Sequence, residues 1–331
     1  MAFTIGQKLR NGIYTIEREL GRGKVAITYL AQQHKGGQIV IKTLKDDLLS
    51  QLQPSERERL KDKFWQEATK LANCRHPHIV SVKEPFREGE LVCIPMEYID
   101  GPNLASFNKI WKEQEALRYI KQIGSALIEV HRQGLVHRDV KPANIMLRNG
   151  NSEAVLTDFA LAREFDHPLS TVSTTEGFSP TELYSSGTEP GPYTDIYSLA
   201  ATLYFLLTNK LPLGAVQRSH PSNSLIPPKE INPHISDRIN KAIIKGMALE
   251  ADARPQSMQE WLKSLGLRRP LGLPKWDLMT WLTVAGLVLA VLGTVAAIVS
   301  AVVDLRPFFK PNSPSSPEST VTPQSSFVRG S

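Results

Sequence analysis

The stretch Val136-His137-Arg138-Asp139-Val140-Lys141-Pro142-Ala143-Asn144-Ile145-Met146-Leu147 has apolar ends and a polar middle. It follows a helical run, so we expect a short polar loop between two strand-like segments. Within six residues the loop offers the carboxylate of Asp139, the ammonium of Lys141 and the carboxamide of Asn144. These groups can take a hydroxyl proton, hold a phosphate as a point charge and ligate a hard cation, respectively. The stretch therefore predicts a site that combines a base, a cation and a metal ligand.

This spacing resembles the catalytic loop of protein kinases, H-R-D-x-K-x-x-N. Matching segments upstream and downstream extend the resemblance over residues 14–265. The resemblance implies an α+β fold with two lobes, a small β-rich N-lobe at residues 14–98 and a larger helical C-lobe at residues 101–265. Residues 1–13 would form a short N-terminal segment without the apolar region of a signal peptide.

A glycine-rich segment and a lysine-bearing strand precede the loop. Gly21-Arg22-Gly23 stands between two strand-like runs, where glycines let backbone N–H groups approach a polyphosphate. A lone G-x-G is more often an ordinary hairpin turn. In the next apolar strand, residues 38–44, Lys42 is either a surface lysine with its stem along apolar surface or, by the resemblance, the lysine that holds the α- and β-phosphates. Glu67, in a helical run that begins near Pro54, resembles the carboxylate partner of this lysine.

The segment Met96-Glu97-Tyr98-Ile99 resembles the hinge that joins the kinase lobes. The resemblance implies that the Glu97 carbonyl and the Ile99 N–H face the adenine of ATP and that Met96 is the gatekeeper. It thereby implies a nucleotide-binding set of residues: Leu20, Gly21, Gly23, Thr28, Lys42, Glu67, Glu97, Ile99 and Met146.

The roles in phosphoryl transfer follow from the same resemblance. Asp158 follows the strand-like residues 154–157, and an isolated aspartate at a strand end is often a turn residue. By the resemblance, it matches the aspartate of the D-F-G motif. With Asn144 it would bind Mg²⁺, while Asp139 would accept the proton of the substrate hydroxyl and Lys141 would lie on the γ-phosphate. In this family a lysine at the position of Lys141 goes with Ser/Thr substrates.

Two alanines depart from the family pattern. Ala26 stands where the glycine-rich loop usually has a third glycine, and Ala160 replaces the glycine of D-F-G. An alanine takes a positive φ only with roughly 1–2 kcal/mol of strain, so we expect a stiffer segment at Ala160.

Three further elements belong to the expected C-lobe. The polar residues 164–175, rich in Ser and Thr, resemble an activation segment. Glu182 and Arg254 match a buried ion pair of the family. Asp195 matches the aspartate that braces the catalytic loop, although a surface helix cap explains it equally well without that context.

Three functions remain open at this point. The first is an active Ser/Thr protein kinase that uses ATP and Mg²⁺ and acts on proteins, with autophosphorylation. The second is a pseudokinase scaffold that binds ATP, suggested by Ala26 and Ala160, although neither change removes a charged catalytic group. The third is a small-molecule kinase of the aminoglycoside type, against which Lys141, the activation segment and Arg254 all weigh.

Composition excludes other classes. The chain has 39 Lys and Arg against 33 Asp and Glu, a net charge of +6 that is too diffuse to indicate nucleic-acid binding. Cys74 and Cys93 are its only cysteines, so neither a disulfide framework nor a cysteine-based zinc site is indicated.

The C-terminal part differs in kind from the rest. Residues 278–303 contain no charged side chain, and as a helix they would extend roughly 39 Å, more than the ~30 Å hydrocarbon core of a membrane. The sequence therefore predicts a basic juxtamembrane linker at residues 266–277, a transmembrane helix at residues 278–303 and a disordered Pro/Ser/Thr-rich tail at residues 304–331. Positive charges are denser before the span than after it, which favours a cytosolic kinase domain and a tail on the opposite side.

Small side chains recur in the predicted span at intervals of three or four residues. Such spacing places them on one face of a helix, where two backbones can approach closely. The face predicts a possible homodimer and comprises Gly286, Ala290, Gly293, Ala297 and Ala301.

Overall fold

The computed structural model describes residues 3–148, 150, 152–161, 177–184 and 189–267. By internal contacts the chain divides into a compact unit, Met1–Arg268, and a second unit, Arg269–Ser331. The predicted transmembrane helix, the tail and most of the linker lie outside the described residues. Within the part that is described, no helix is both long and apolar enough to cross a membrane.

The N-terminal part is an antiparallel sheet. Its strands are β1 Lys8–Leu9, β2 Tyr14–Arg22, β3 Ala26–Gln33, β4 Gln38–Leu44, β5 Phe86–Glu88 and β6 Leu91–Glu97. They lie in the order β1-β2-β3-β4-β6-β5. Successive side chains of a strand point to opposite faces. In β4, Ile39 and Ile41 accordingly pack into an outer cluster, whereas Val40 and Leu44 pack into the main core. Lys42 therefore shares the face of the sheet that is turned to the main core.

Two helices, α1 Asp46–Gln51 and α2 Pro54–Ala72, connect β4 to β5. Proline at the first position and an N-cap contact from the Glu56 carboxylate to the Gln53 N–H (3.3 Å) mark the start of α2. Its buried residues are Leu60, Lys61, Phe64, Ala68 and Leu71. The apolar ones among them recur at intervals of four, four and three and give α2 one apolar face, which packs against the sheet.

The C-terminal part is helical. Its helices are α3 Glu113–Arg132, α4 Pro192–Thr208, α5 Ala215–Arg218, α6 Pro228–Ile231, α7 Asp237–Gly246 and α8 Met258–Ser264. A small antiparallel sheet, β7 Ile145–Arg148 and β8 Glu153–Leu156, lies beside α3, and short 3₁₀ turns cover Leu104–Ser106, Pro142–Asn144 and Thr181–Leu183. The order of a β-rich part followed by a helical part confirms the expected two-lobe α+β architecture.

Helix α4 forms the centre of the helical part. Ile196, Leu199 and Leu203 are fully buried, and α4 contacts α3 on one side and α7 on another. Because α4 is apolar on almost every face, the few polar groups on it must find partners inside the protein. Asp195 and Thr194, both fully buried, are two of these groups.

The predicted pair of Glu182 and Arg254 is present and buried. Arg254 Nη1 lies 2.7 Å from Glu182 Oε1, and the two side chains are 0% and 3% exposed. The remaining guanidinium donors bind the carbonyls of Ala248 and Leu249, both at 2.8 Å, and Thr194 Oγ1 donates to Glu182 at 3.0 Å. All charged groups of this cluster are thus satisfied within the protein, and the pair joins the segment before α4 to the segment before α8.

We predict that Glu182→Gln destabilises the protein strongly. The change leaves the Arg254 guanidinium buried without a counter-charge, which costs roughly 3–5 kcal/mol in comparable buried pairs. Urea unfolding followed by circular dichroism would measure the difference. Glu129→Gln is the matched control, because Glu129 pairs at 2.7 Å with an Arg132 whose side chain is 68% exposed. Equal losses in the two variants would contradict a special role for the buried pair.

Candidate active site

The loop of residues 137–144 joins α3 to β7, and its first two residues form hydrogen bonds to Asp195. Asp195 Oδ2 accepts a hydrogen bond from the His137 N–H and Oδ1 accepts one from the Arg138 N–H, both at 2.9 Å. Oδ2 also lies 2.9 Å from His131 Nε2. Sequence alone left a surface cap and a brace equally acceptable for Asp195, and its complete burial identifies it as the brace.

The electrostatics of this brace follow from its burial. Burial by itself would raise the pKa of the Asp195 carboxyl, but the hydrogen bond and charge of His131, together with His137, outweigh it and lower this pKa. His137 is also fully buried, and desolvation lowers its pKa, so the imidazole is neutral near pH 7. Its Nδ1 accepts the Asp139 N–H at 3.2 Å, and Nε2 therefore donates to the Thr157 carbonyl at 2.9 Å.

Asp139, Lys141 and Asn144 lie together, as the sequence predicts. Asp139 Oδ2 accepts hydrogen bonds from Lys141 Nζ and from Asn144 Nδ2, both at 2.8 Å. Asn144 Nδ2 also donates to the Asp139 carbonyl at 2.8 Å. The carboxylate is thereby fixed in one orientation, with its side chain 20% exposed at the surface of the loop. A partly exposed carboxylate in this position can accept a proton from a hydroxyl group.

Lys42 reaches from β4 to the segment after β8. Its Nζ lies 2.8 Å from Asp158 Oδ1 and donates to the Phe159 carbonyl at 2.9 Å. The attraction of Lys42 is the largest influence on Asp158 and lowers the pKa of this carboxyl, with smaller contributions from His137 and Lys141. The Thr157 N–H donates to the Asn144 carbonyl at 2.9 Å and the Ala160 N–H donates to the His137 carbonyl at 3.3 Å, so the catalytic loop and the Lys42–Asp158 pair belong to one site.

Lys42 forms its ion pair with Asp158 in this structure. Glu67 lies half-buried on α2. The pairing of Lys42 with Glu67 that the resemblance implies stays a prediction, because the distance between α2 and β4 depends on packing, which sequence spacing does not specify.

Two site residues have a strained backbone. Arg138 and Asp158 have φ values of 67° and 57°, in the left-handed region that side chains other than glycine rarely adopt. Ala160, which departs from the D-F-G pattern, is not among the described residues with positive φ, and its N–H donates to the His137 carbonyl at 3.3 Å. The alanine therefore needs no strained backbone in this conformation. Phe159 is buried, with its ring 4.3 Å from that of His137.

The glycine-rich segment forms the hairpin between β2 and β3. The Gly23 N–H donates to the Ala26 carbonyl at 2.8 Å, and a Cβ on Gly23 would lie 3.3 Å from that oxygen. Ala26 is a buried residue of β3 rather than a loop residue, which explains how an alanine fits there. Of the other predicted nucleotide residues, Leu20 is exposed at the end of β2, and Thr28 pairs with Lys42 across β3 and β4.

The predicted hinge begins in the last two residues of β6. Met96 and Ile99 are buried, while Glu97 ends the strand opposite Ile39. Met146 lies half-buried in β7 and bridges to Asn103, so it faces the chain that leaves the hinge. A Cβ on Gly101 would overlap the Leu147 carbonyl, which shows how closely this chain passes over β7.

The chemistry of the predicted metal ligands fits Mg²⁺. Asn144 commits Nδ2 to Asp139, which leaves its carboxamide oxygen as the ligand atom. Asp158 has a 55% exposed side chain and an oxygen that does not contact Lys42. Mg²⁺ is commonly held by one or two protein oxygens together with phosphates and water. Elsewhere in the described residues no group of three or more His, Cys, Asp or Glu side chains is placed to bind a metal ion.

The sequence does not identify two residues of this region. His131 lies at the end of α3 and its ring contacts Asp195, but no spacing rule distinguishes it from a surface histidine at a helix end. Arg148 was not singled out at all, although its guanidinium contacts Glu97 in the hinge at 2.5 Å. The only sequence feature that marks Arg148 is its position as a charged residue at the end of an apolar strand.

A separate surface cavity of about 410 Å³ lies beside Gly177. It is lined mainly by residues 210–214, Tyr204 and Ile226, and none of the predicted site residues contributes to it. The candidate active site is therefore defined by its polar side chains and not by this cavity.

The geometry agrees with comparisons to known proteins. The sequence model of the protein kinase domain matches residues 14–265. The chain belongs to the protein kinase family. A probable serine/threonine-protein kinase of Clostridium perfringens is 32% identical over 279 residues, 79% of this chain and 39% of that protein. The serine/threonine-protein kinase PkaB of Streptomyces coelicolor is 30% identical over 300 residues, 84% of this chain and 68% of PkaB.

Solved structures give the same result. The apo form of PpkA-294 matches with a TM-score of 0.64 and 27% identity, covering 80% of this chain and 99% of that one. The PknI kinase domain of Mycobacterium tuberculosis matches with a TM-score of 0.61 and 25% identity, over 80% and 99% of the two chains. This kinase therefore belongs with the eukaryotic-like serine/threonine kinases of bacteria. It spans about two-fifths of the length of its Clostridium relative.

We predict that Asp195→Asn lowers both stability and activity. The amide cannot accept all the hydrogen bonds of the carboxylate, and hydrogen bonds to a charged group contribute roughly 1.5–3 kcal/mol each. Urea unfolding, with phosphorylation assays in parallel, would measure both losses.

The pH dependence of this loss checks its cause. Because the pKa of Asp195 is lowered in the folded protein, its stabilisation is complete above the unfolded value of about 4 and disappears as the pH falls below it. The difference between wild type and Asp195→Asn should be full at pH 5 and shrink below about pH 4. A difference that grows on acidification would contradict the ionised brace.

Proposed function

We propose that this chain is an ATP-dependent serine/threonine protein kinase that transfers the γ-phosphoryl group to hydroxyl groups of proteins. The observation that carries the proposal is the Asp139 carboxylate, oriented by Lys141 and Asn144 in a loop that is hydrogen-bonded to the segment carrying the Lys42–Asp158 pair. The arrangement supplies a base, two cations and metal ligands in one site. The names of the bacterial relatives support serine and threonine as the acceptors.

Each residue has a defined part in this reaction. Asp139 orients the substrate hydroxyl and accepts its proton, and Lys141, already 2.8 Å from that carboxylate, lies where it can neutralise charge on the transferred group. When ATP binds, its phosphate oxygens replace Asp158 as the partner of Lys42. Asn144 and Asp158 would hold Mg²⁺, which neutralises charge on the phosphate oxygens when bound. Positioning and charge neutralisation are sufficient because the transition state is loose.

The pseudokinase alternative has less support. Ala26 belongs to a strand, and Ala160 has an unstrained backbone, so neither departure removes a polar group from the site. Asp139, Asn144 and Lys42 are all present and make the contacts given above. A scaffold that only bound ATP would have no need for an oriented base in this position.

Autophosphorylation is part of the proposal. The Ser and Thr residues between 170 and 174 lie in the predicted activation segment, outside the described residues. A phosphate there carries about −1.5 to −2 charge and would bind a guanidinium strongly. Arg138, in the catalytic loop next to Asp139, is the proposed partner.

Membrane anchoring and dimerisation rest on sequence. The uncharged residues 278–303 support a single-pass helix, with the kinase domain on the cytosolic side and residues 304–331 on the other. The small-residue face that begins at Gly286 supports a homodimer, in which one kinase would phosphorylate the activation segment of the other.

We predict that Asp139→Asn abolishes phosphoryl transfer but retains nucleotide binding. Loss of a general base costs about 10²–10⁴ in rate, while the phosphate-binding residues stay intact. The full chain in detergent would be incubated with radiolabelled ATP with and without Mg²⁺, and mass spectrometry would locate phosphorylated Ser and Thr. Calorimetry with ADP would measure binding.

Asp237→Asn serves as the control for this experiment, because Asp237 lies on α7 in a surface pair with Lys229. It should match wild type in both measurements. Near-normal turnover in Asp139→Asn would rule out the proposed base, and absence of any transfer by the wild type would favour the scaffold.

We further predict that replacing Gly286 and Gly293 together by Leu lowers crosslinking and autophosphorylation in reconstituted membranes. Leucine side chains would keep the two helices apart on the small-residue face. The variant diluted in detergent should keep the activity of the wild type in detergent. Unchanged crosslinking in membranes would mean that the span anchors the chain without pairing two copies through this face.

A further inference from the structure

The guanidinium of Arg148, the last residue of β7, joins three segments of the chain. Its Nη1 lies 2.5 Å from Glu97 Oε1, its Nε lies 3.1 Å from Glu153 Oε2, and its Nη2 donates to the Pro77 carbonyl at 2.6 Å. The side chains of Arg148 and Glu97 are 26% and 31% exposed, so this pair is partly shielded from water. A planar guanidinium holds several acceptors in one fixed geometry, which an ammonium does not.

Glu97 is the point where the N-lobe sheet ends and the hinge begins. Its second carboxylate oxygen accepts the Ser81 N–H at 3.2 Å, and its own N–H donates to the Ser81 carbonyl at 2.8 Å. The side chain is therefore held on two sides, by Ser81 from one lobe and by Arg148 from the other. A residue fixed in this way has little freedom to rotate its backbone carbonyl.

The segment of residues 77–81 is a second connection between the lobes. At its start it bonds to β8, where the Val80 N–H donates to the Leu156 carbonyl at 3.0 Å and the Leu156 N–H donates to the His78 carbonyl at 2.9 Å. At its end it bonds to Glu97 in β6. Since Arg148 binds both Pro77 and Glu97, it connects this segment to the hinge at the place where both cross between the lobes.

We propose that Arg148 is a positioning residue for the nucleotide, acting through the hinge carboxylate of Glu97. The inference rests on the proposed function, in which the Glu97 carbonyl and the Ile99 N–H bind adenine. Arg148 should affect nucleotide affinity and not the transfer step. Its contacts are with the hinge and with residues 77 and 153, whereas Asp139 is held by Lys141 and Asn144 in a loop braced by Asp195.

The test compares four variants of the full chain in detergent. Arg148→Gln and Glu97→Gln each remove the ion pair between Arg148 and Glu97. Arg148→Lys keeps the positive charge but loses the planar guanidinium that holds several acceptors. Glu153→Gln removes the contact between Arg148 and Glu153 in the β7–β8 hairpin and leaves the Arg148–Glu97 pair in place. The dissociation constant of Mg·ADP by calorimetry, KM for ATP, kcat and the thermal midpoint are measured for each.

We expect Arg148→Gln and Glu97→Gln to weaken ADP binding and raise KM for ATP about two- to fivefold, the upper part of the range for a partly exposed ion pair. Their kcat should stay within about twofold of wild type, since the transferring groups are untouched. Glu153→Gln should bind ADP like wild type, and Arg148→Lys should be intermediate. The double variant Arg148→Gln/Glu97→Gln should be no weaker than either single variant, because both remove one interaction.

Several results would overturn the inference. If the losses of ADP affinity in the two single variants add up in the double variant, the effect comes from the overall charge and not from the pair. If Glu153→Gln loses as much ADP affinity as Glu97→Gln, the effect comes from β7 and not from the hinge. A drop in kcat with unchanged ADP affinity would place Arg148 in the transfer step. Normal ADP binding by wild type and by both hinge variants removes this inference alone, whereas a wild type that binds no ADP removes the proposed function with it.

Discussion

The active site depends on one buried carboxylate. An uncompensated charge in the interior costs far more than a folded protein can tolerate, so Asp195 must keep its partners. Two of them are the backbone N–H groups of His137 and Arg138, which means that the loop cannot shift without leaving the charge unpaired. Arg138 also has a left-handed backbone that costs roughly 1–2 kcal/mol. Two charge-assisted hydrogen bonds of roughly 1.5–3 kcal/mol each exceed that cost, and so the strained turn that presents Asp139 persists.

The lysine reaches this loop because of strand periodicity. Lys42 shares its side of β4 with Val40 and Leu44, whose apolar side chains pack into the main core, and its neighbours on the other side fill a separate cluster. A shift of one residue in the pairing of β4 with β6 would turn the ammonium outward. The register of the sheet therefore decides whether the lysine meets Asp158. Burial of the flanking residues fixes this register more firmly than the ion pair itself.

Sequence predicted the groups of the site better than their pairings. Asp139, Lys141 and Asn144 lie within one short loop, where spacing alone brings their side chains together. Lys42 lies in β4 and Asp158 follows β8, so their pairing depends on how the N-terminal sheet packs against the helical part, which sequence spacing does not specify. His131 and Arg148 could not be identified from sequence, because each makes its important contact across a long sequence separation with a residue of another element. The identity of a side chain is local information, whereas its partner is a property of the packing.

Burial explains why chemically similar ion pairs have different roles here. Arg254 and Glu182 are almost completely shielded from water, so separating them would leave an unpaired charge in the interior. The pair therefore has a structural role. Lys42 pairs with an Asp158 side chain that is 55% exposed, where water can replace a lost partner and the pair contributes roughly 1 kcal/mol or less. An incoming phosphate or metal ion, with more charge than either partner, can therefore separate Lys42 from Asp158. Arg148 and Glu97 lie between these cases, with side chains that are 26% and 31% exposed. The exposure of each pair thus decides whether it fixes the fold, restrains the hinge or yields to substrate.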